Sequence, residues 1–144
     1  MFSSKTYLAL LVILELSRRD QTGPLTSRNL ASKYNVSKRY LEVVFNNLAK
    51  SGIISSKRGI GGGYYLTADI EKLSIYDLAV AAEGGLKIFS GGDFLEEKGD
   101  RAGVISSVNN FWQTVDSDVM RNLKGYIIKD LITQLSDYKE MYYI

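Results

Sequence analysis

The stretch Val36–Leu66, VSKRYLEVVFNNLAKSGIISSKRGIGGGYYL, decides the fold. In its first half Tyr40, Leu41, Val44, Phe45 and Leu48 recur at three- and four-residue steps, with Ser37 placed as an N-cap and Gly52 as a terminator. That spacing predicts a helix. In its second half Ile53–Lys57 alternates as a short strand and Tyr64–Leu66 returns beside it. Between them lies Arg58-Gly59-Ile60-Gly61-Gly62-Gly63, whose glycines permit a tight tip and a close backbone approach to a phosphate wall.

Working outward, Thr26 can cap a preceding helix through Tyr34, and Asn35 suits the left-handed residue that ends it. Two helices joined by a short turn make a helix-turn-helix, a pattern shared with any small bundle. The hairpin directly after it makes the predicted element a winged helix-turn-helix, with Arg58 where a wing meets a groove. A glycine run can also hold a nucleotide phosphate, but that needs a following helix and a Lys-Ser/Thr pair. Here the glycines run into Tyr64-Tyr65-Leu66.

The flanks complete a mainly α fold with a small β-wing. A first helix is expected from Ser3 or Ser4 to about Arg19, with Tyr7, Leu8, Leu11, Val12 and Leu16 on its buried face. Its apolar run has no small-residue cleavage site and is interrupted by Glu15, so it reads as a core helix rather than a signal peptide. Ser74 caps a fourth helix, Ile75–Glu83, stopped by Gly84-Gly85. Residues 84–103 read as a linker or loop. Val104, Val108, Phe111, Trp112, Val115, Val119 and Leu123 then recur at helical steps on a helix of about 30 Å. A small winged domain has too little surface to cover it, so these seven residues are expected to pair with a second copy. Asp130–Ser136 is expected as a short last helix. The expected organisation is a DNA-binding domain at 1–83, the linker at 84–103, and a dimerisation helix with C-terminal tail at 104–144.

Composition narrows the chemistry. The 144 residues hold no Cys and no His, which removes disulfides, thiolate nucleophiles, His acid–base pairs and N/S metal sites. No catalytic constellation of Tyr and carboxylates can be named, so no enzyme, cofactor or resident metal is expected. Asp93, Glu96 and Glu97 are a weak candidate for a hard cation, with a solvated loop the simpler reading. The net charge is only +2, yet Arg28–Arg58 carries seven basic residues against Glu42 alone, a local +6. Such a segment is a footprint for a polyanion or a solvated charged face. No apolar run reaches the ~18 residues of a membrane span, and the expected location is cytoplasmic.

The motifs together resemble the winged-helix regulators of the IscR and CymR type. The resemblance lies in Tyr40-Leu41-Glu42, in Leu48 to Ile54, and in Ser56 to Tyr64 with its Ser-x-Arg-Gly-x-x-Gly-Gly-Tyr pattern. It extends to Tyr7-Leu8-Ala9-Leu10, Glu83-Gly84 and Trp112. It implies a homodimeric, sequence-specific transcriptional repressor on a partly palindromic operator in double-stranded DNA. By position, Thr26, Ser27, Arg28, Ser37, Lys38, Arg39, Tyr40, Glu42, Lys57, Arg58 and Gly59 are its candidate DNA-binding residues. Ser37 to Tyr40 would face the major groove or its phosphates and Arg58 the minor groove. For Tyr40 a core role stays open, and for Glu42 either base discrimination or pairing with a neighbouring cation.

Cluster-binding members of that family carry three cysteines between the fourth and fifth helices. This chain has none there, which sets an iron–sulfur role aside and draws the likeness toward the cysteine-metabolism (CymR) branch. Members of that branch act with cysteine synthase, and the ending Tyr142-Tyr143-Ile144 is similar to theirs. The implied partner contact is capture of a terminal carboxylate. A competing reading is a protein-interaction module that uses this docking segment and binds DNA weakly or not at all.

Overall fold

The computed structural model describes residues 2–18, 24–87, 89, 91–92 and 94–142, with the backbone alone for 136 and 138–142. Six α-helices and one hairpin follow in the order α1 (Ser4–Leu16), α2 (Ser27–Tyr34), α3 (Lys38–Lys50), β1 (Ile54–Lys57), β2 (Gly63–Leu66), α4 (Ile75–Glu83), α5 (Ala102–Lys124) and α6 (Ile128–Tyr142). A 3-10 turn, Gly99–Arg101, leads into α5.

Local signals set most of these ends. The Thr26 hydroxyl accepts from Asn29 N–H and the Ser37 hydroxyl from Tyr40 N–H, so each caps the helix that follows it. Asn35 closes α2 at φ 53°, ψ 48°, a left-handed position that Asn tolerates. Ser74 and Asp77 form a reciprocal capping box at the start of α4, and Gly84 ends it.

Helices α1, α3 and α4 pack around one core that includes Leu8, Val12, Ile13, Leu41, Val44, Phe45, Leu48 and Leu78. The buried face of α1 differs from the expected one. Leu8, Ala9, Val12, Ile13 and Glu15 are buried, whereas Tyr7 is 74% exposed and Leu11 only partly covered. The helix is apolar nearly all round, so its own period does not choose a face; contact with α3 and α4 does. It also ends at Leu16, short of Arg19. Its start is tied to the end of α4: Glu83 accepts from Ser3 N–H and Oγ at 2.8 Å and from Thr6 Oγ1 at 2.7 Å. Burial pushes the Glu83 carboxyl up, but these donors outweigh it and hold it below the usual carboxylate range.

The last helix is longer than Asp130–Ser136. Its first residue, Ile128, is fully buried in the core. An isolated bridge between Ser74 and Ile127, with Ile75 N–H on the Tyr126 carbonyl (2.8 Å) and Ile128 N–H on that of Leu73 (2.9 Å), staples the α5–α6 junction to the start of α4. Helix α5 contrasts with all of this: among its 23 residues none is buried.

Candidate nucleic-acid interface

The wing is a two-stranded antiparallel ribbon in the register Ile54↔Leu66, Ser55↔Tyr65, Ser56↔Tyr64 and Lys57↔Gly63. Ile54 packs into the shared core, and Tyr64 holds the wing to the helix-turn-helix in two further ways. Tyr64 exchanges both backbone hydrogen bonds with Leu25, at 2.8 and 3.0 Å, which sets the residues before α2 alongside β2. Its ring also stacks on Phe45 of α3, centroids 4.4 Å apart. Gly63 is required by this approach, since a Cβ there would lie 2.8 Å from the Leu25 carbonyl oxygen and 2.9 Å from Pro24 Cβ.

On this frame Ser37, Lys38 and Arg39 are exposed at the N-terminus of α3, and Arg28 in the first turn of α2. Neither helix has an acid in its first turn, so both leave their positive dipole ends and free N–H groups unneutralised. Lys57, Arg58 and Gly59 are exposed on the wing. Among the described residues none of Arg28, Arg39, Lys57 and Arg58 pairs with a carboxylate.

Other expected residues are engaged within the fold. The hydroxyls of Thr26 and Ser37 are acceptors in their caps. Tyr40 is half-buried against the core, with its hydroxyl 2.8 Å from Ser4 Oγ. Glu42 faces Lys38 at 3.5 Å, one helical turn back. Lys33, counted in the basic segment, is turned toward α1, where its ammonium donates to Glu15 at 2.9 and 3.1 Å. The Tyr34 hydroxyl donates to the same carboxylate, and Arg18 lies 3.5 Å away. Burial pushes the Glu15 carboxyl up, yet Tyr34, Lys33 and Arg18 together hold it below its ordinary value. Burial and Glu15 push the Tyr34 hydroxyl up to about 12.

The sequence reading missed part of the outward face of α3. Arg39, Val43, Asn46 and Lys50 follow one another at three- and four-residue steps, with Glu42 beside them, opposite the buried Leu41, Val44, Phe45 and Leu48, and Val43 and Asn46 are exposed. The signal was available as the complement of the apolar period. Asn and an apolar side chain are suited to an adenine edge and a thymine methyl.

Of the expected pairing residues on α5, Val104 (68% exposed), Val108 and Phe111 (60%) face solvent, while Trp112, Val115, Val119 and Leu123 are partly covered. Phe89 stacks on Trp112 with centroids 4.3 Å apart, so the preceding loop covers one flank of the helix. Tyr143, Ile144, Asp93 and the side chain of Tyr142 lie outside the described residues.

A wing fixed beside a helix-turn-helix, with exposed cations on both, defines the class of winged-helix DNA-binding transcriptional regulators rather than enzymes. The chain belongs to the Rrf2 family, whose model, described as an iron-dependent transcriptional regulator, matches residues 2–134. It is 27% identical to the HTH-type transcriptional regulator IscR of Vibrio campbellii over 145 residues, covering 96% of this chain and 84% of that one. It resembles the solved structure of T. potens IscR with a TM-score of 0.66 at 25% identity, over 99% and 90% of the two chains. It resembles that of Staphylococcus aureus CymR with a TM-score of 0.65 at 25% identity, over 90% and 96%.

The iron dependence in the family's description does not fit these residues. The sequence offers no Cys or His ligand, and the described carboxylates form no metal-binding group. No described helix is long and apolar enough to cross a membrane.

Proposed function

We propose that two copies pair through α5 and bind a partly palindromic operator as a repressor, in the cytoplasm. The observation that carries the pairing is a 23-residue helix with no buried residue and a row of apolar side chains along it. A lone helix of that kind leaves an apolar stripe in water, and a two-fold partner removes it. In this reading residues 1–83 hold the DNA-reading elements, 84–103 connect, and the arm begins at 104. The N-terminus of α3 enters the major groove through Ser37, Lys38 and Arg39, with Glu42, Val43 and Asn46 along its exposed row. Thr26, Ser27 and Arg28 meet backbone phosphates, and Arg58 enters the minor groove beside Lys57 and Gly59.

Selecting bound fragments from random duplexes gives the operator, and sedimentation gives the mass of the free and bound species. Two half-sites about one DNA turn apart are expected, bound by a dimer. Val108→Asp, which puts a charge on the exposed row without touching the core, is expected to yield monomers and abolish tight operator binding. A dimeric Val108→Asp protein, or a selected site without a repeated half, refutes the pairing.

Regulation of cysteine metabolism is supported by the likeness to CymR in sequence and in fold, and docking of cysteine synthase by Tyr142, Tyr143 and Ile144 by sequence resemblance alone. Titrating that enzyme with the protein and with an Ile144 deletion tests the docking; equal binding ends it.

A further inference from the structure

We infer that Ile60 rests on the floor of the minor groove and makes the protein select against G·C pairs there. The inference depends on the wing entering that groove, as proposed above. Ile60 is the second residue of the β-turn that closes the wing. The Gly62 N–H donates to the Gly59 carbonyl at 2.9 Å, and Gly61, third in the turn, has φ 75°, the value of a type II turn. Proline is the favoured second residue of such a turn, and nothing about the turn calls for a branched apolar side chain. Nothing in the fold uses it either. Ile60 is 107% exposed, more than any other large apolar residue described.

A single exposed apolar residue on a broad surface needs no explanation. The place of this one sets it apart. Gly59, Gly61 and Gly62 carry no side chains, so Ile60 alone projects from the tip, and the tip is no wider than a backbone turn. Lys57 and Arg58 directly precede it and bring it against a polyanion. A narrow, cationic ribbon with one protruding apolar group matches a groove about 6 Å wide.

The floor of that groove supplies the selectivity. An A·T pair shows only acceptors there, whereas G·C places the guanine N2 amine between them. An isoleucine accepts no hydrogen bond, so covering that amine strips its water without replacement. It also competes with the amine for space. A·T pairs under the tip avoid both penalties. Arg58 favours narrow A·T grooves for a separate, electrostatic reason.

The test uses a duplex selected by the wild-type protein. Each base pair under the wing is replaced in turn by G·C and by inosine·cytosine, which keeps the major-groove edge of G·C but lacks the amine. At one or more of these pairs the wild type is expected to bind the inosine duplex about fivefold more tightly than its G·C counterpart, a modest single-pair effect. In Ile60→Ala the difference should fall below about twofold, with an unchanged melting temperature, because the side chain touches nothing in the free protein. Equal wild-type affinity for both duplexes at every pair, or a difference that persists in Ile60→Ala, overturns the role of Ile60. Arg58→Ala distinguishes entry of the wing into the groove from the role of Ile60. If it binds like the wild type, the wing is not in the groove and the underlying reading fails. If it weakens all duplexes while the wild type shows no inosine effect, the role of Ile60 alone fails.

Discussion

Glu15→Gln tests whether a buried carboxylate clamps the first helix of the helix-turn-helix to the body of the protein. The substitution keeps the shape and leaves an oxygen for Tyr34. It removes the charge faced by Lys33 at 2.9 and 3.1 Å and by Arg18 at 3.5 Å. Hydrogen bonds to charged groups contribute about 1.5–3 kcal/mol each. Lys33 is half-exposed and regains water when released, so the expected net loss is nearer 1–2 kcal/mol, or roughly 3–7 °C in Tm. The pH dependence gives the sharper readout. The folded Glu15 value lies below the ordinary 4.5 of the unfolded chain, so its contribution is complete above about that pH and lost as pH falls through the lowered value. Tyr34 behaves oppositely: its proton is held up to about 12, so that contribution is full below 10 and lost as pH rises through about 12. Urea unfolding midpoints of wild type and Glu15→Gln, measured from pH 3 to 8, should differ by a constant amount from neutrality to about pH 5. The gap should close in acid. A gap independent of pH, or none at pH 7, refutes the clamp.

Two further outcomes follow from the interface. If Arg28, Lys38, Arg39, Lys57 and Arg58 each displace about one condensed counterion, whether from a groove or from the backbone, the log–log salt slope of binding should be about −4.5 per subunit and about −9 for a pair. Arg58→Ala should make it shallower by about 1 per subunit in a mobility-shift series, and a flat wild-type response favours the protein-interaction reading. Gly63→Ala drives a Cβ against the Leu25 carbonyl and Pro24, so a loss of roughly 1–3 kcal/mol is expected by chemical denaturation. Operator affinity should fall with it as the wing shifts. Unchanged stability argues against the close approach of β2 to residues 24–25.

Helix ends were legible where a short polar side chain or a left-handed residue marks them, as at Thr26, Asn35, Ser37, Ser74 and Gly84. The winged class was equally plain in Val36–Leu66, because hairpin and helix carry different periods. What stayed hidden depends on partners distant in sequence. The buried face of α1 is chosen by α3 and α4, and the burial of Glu15 makes sense only once Lys33 and Tyr34 come from another helix to meet it. Gly125 interrupts the helical period and hides the chain's return to the core three residues later at Ile128, so the period alone shortens the last helix. At the interface the basic run points to the exposed cations, but a charge count does not show that Lys33 turns back to Glu15, nor that Val43 and Asn46 stand on the outward row. The apolar period of α3 marks its buried face, and only the complement of that period marks its outward row.

The staple at Tyr126–Ile128 makes α5 a lever with its pivot in the head of the molecule. At about 1.5 Å per residue the arm is about 34 Å long, so a swing of about 5° about that hinge carries its far end about 3 Å. If two arms are clamped together, the same swing displaces the heads instead. It then alters the separation of two reading helices that must match one pitch of the duplex, itself about 34 Å. In such a pair, a shift at the base of the arm would change that spacing without touching a single contacting residue.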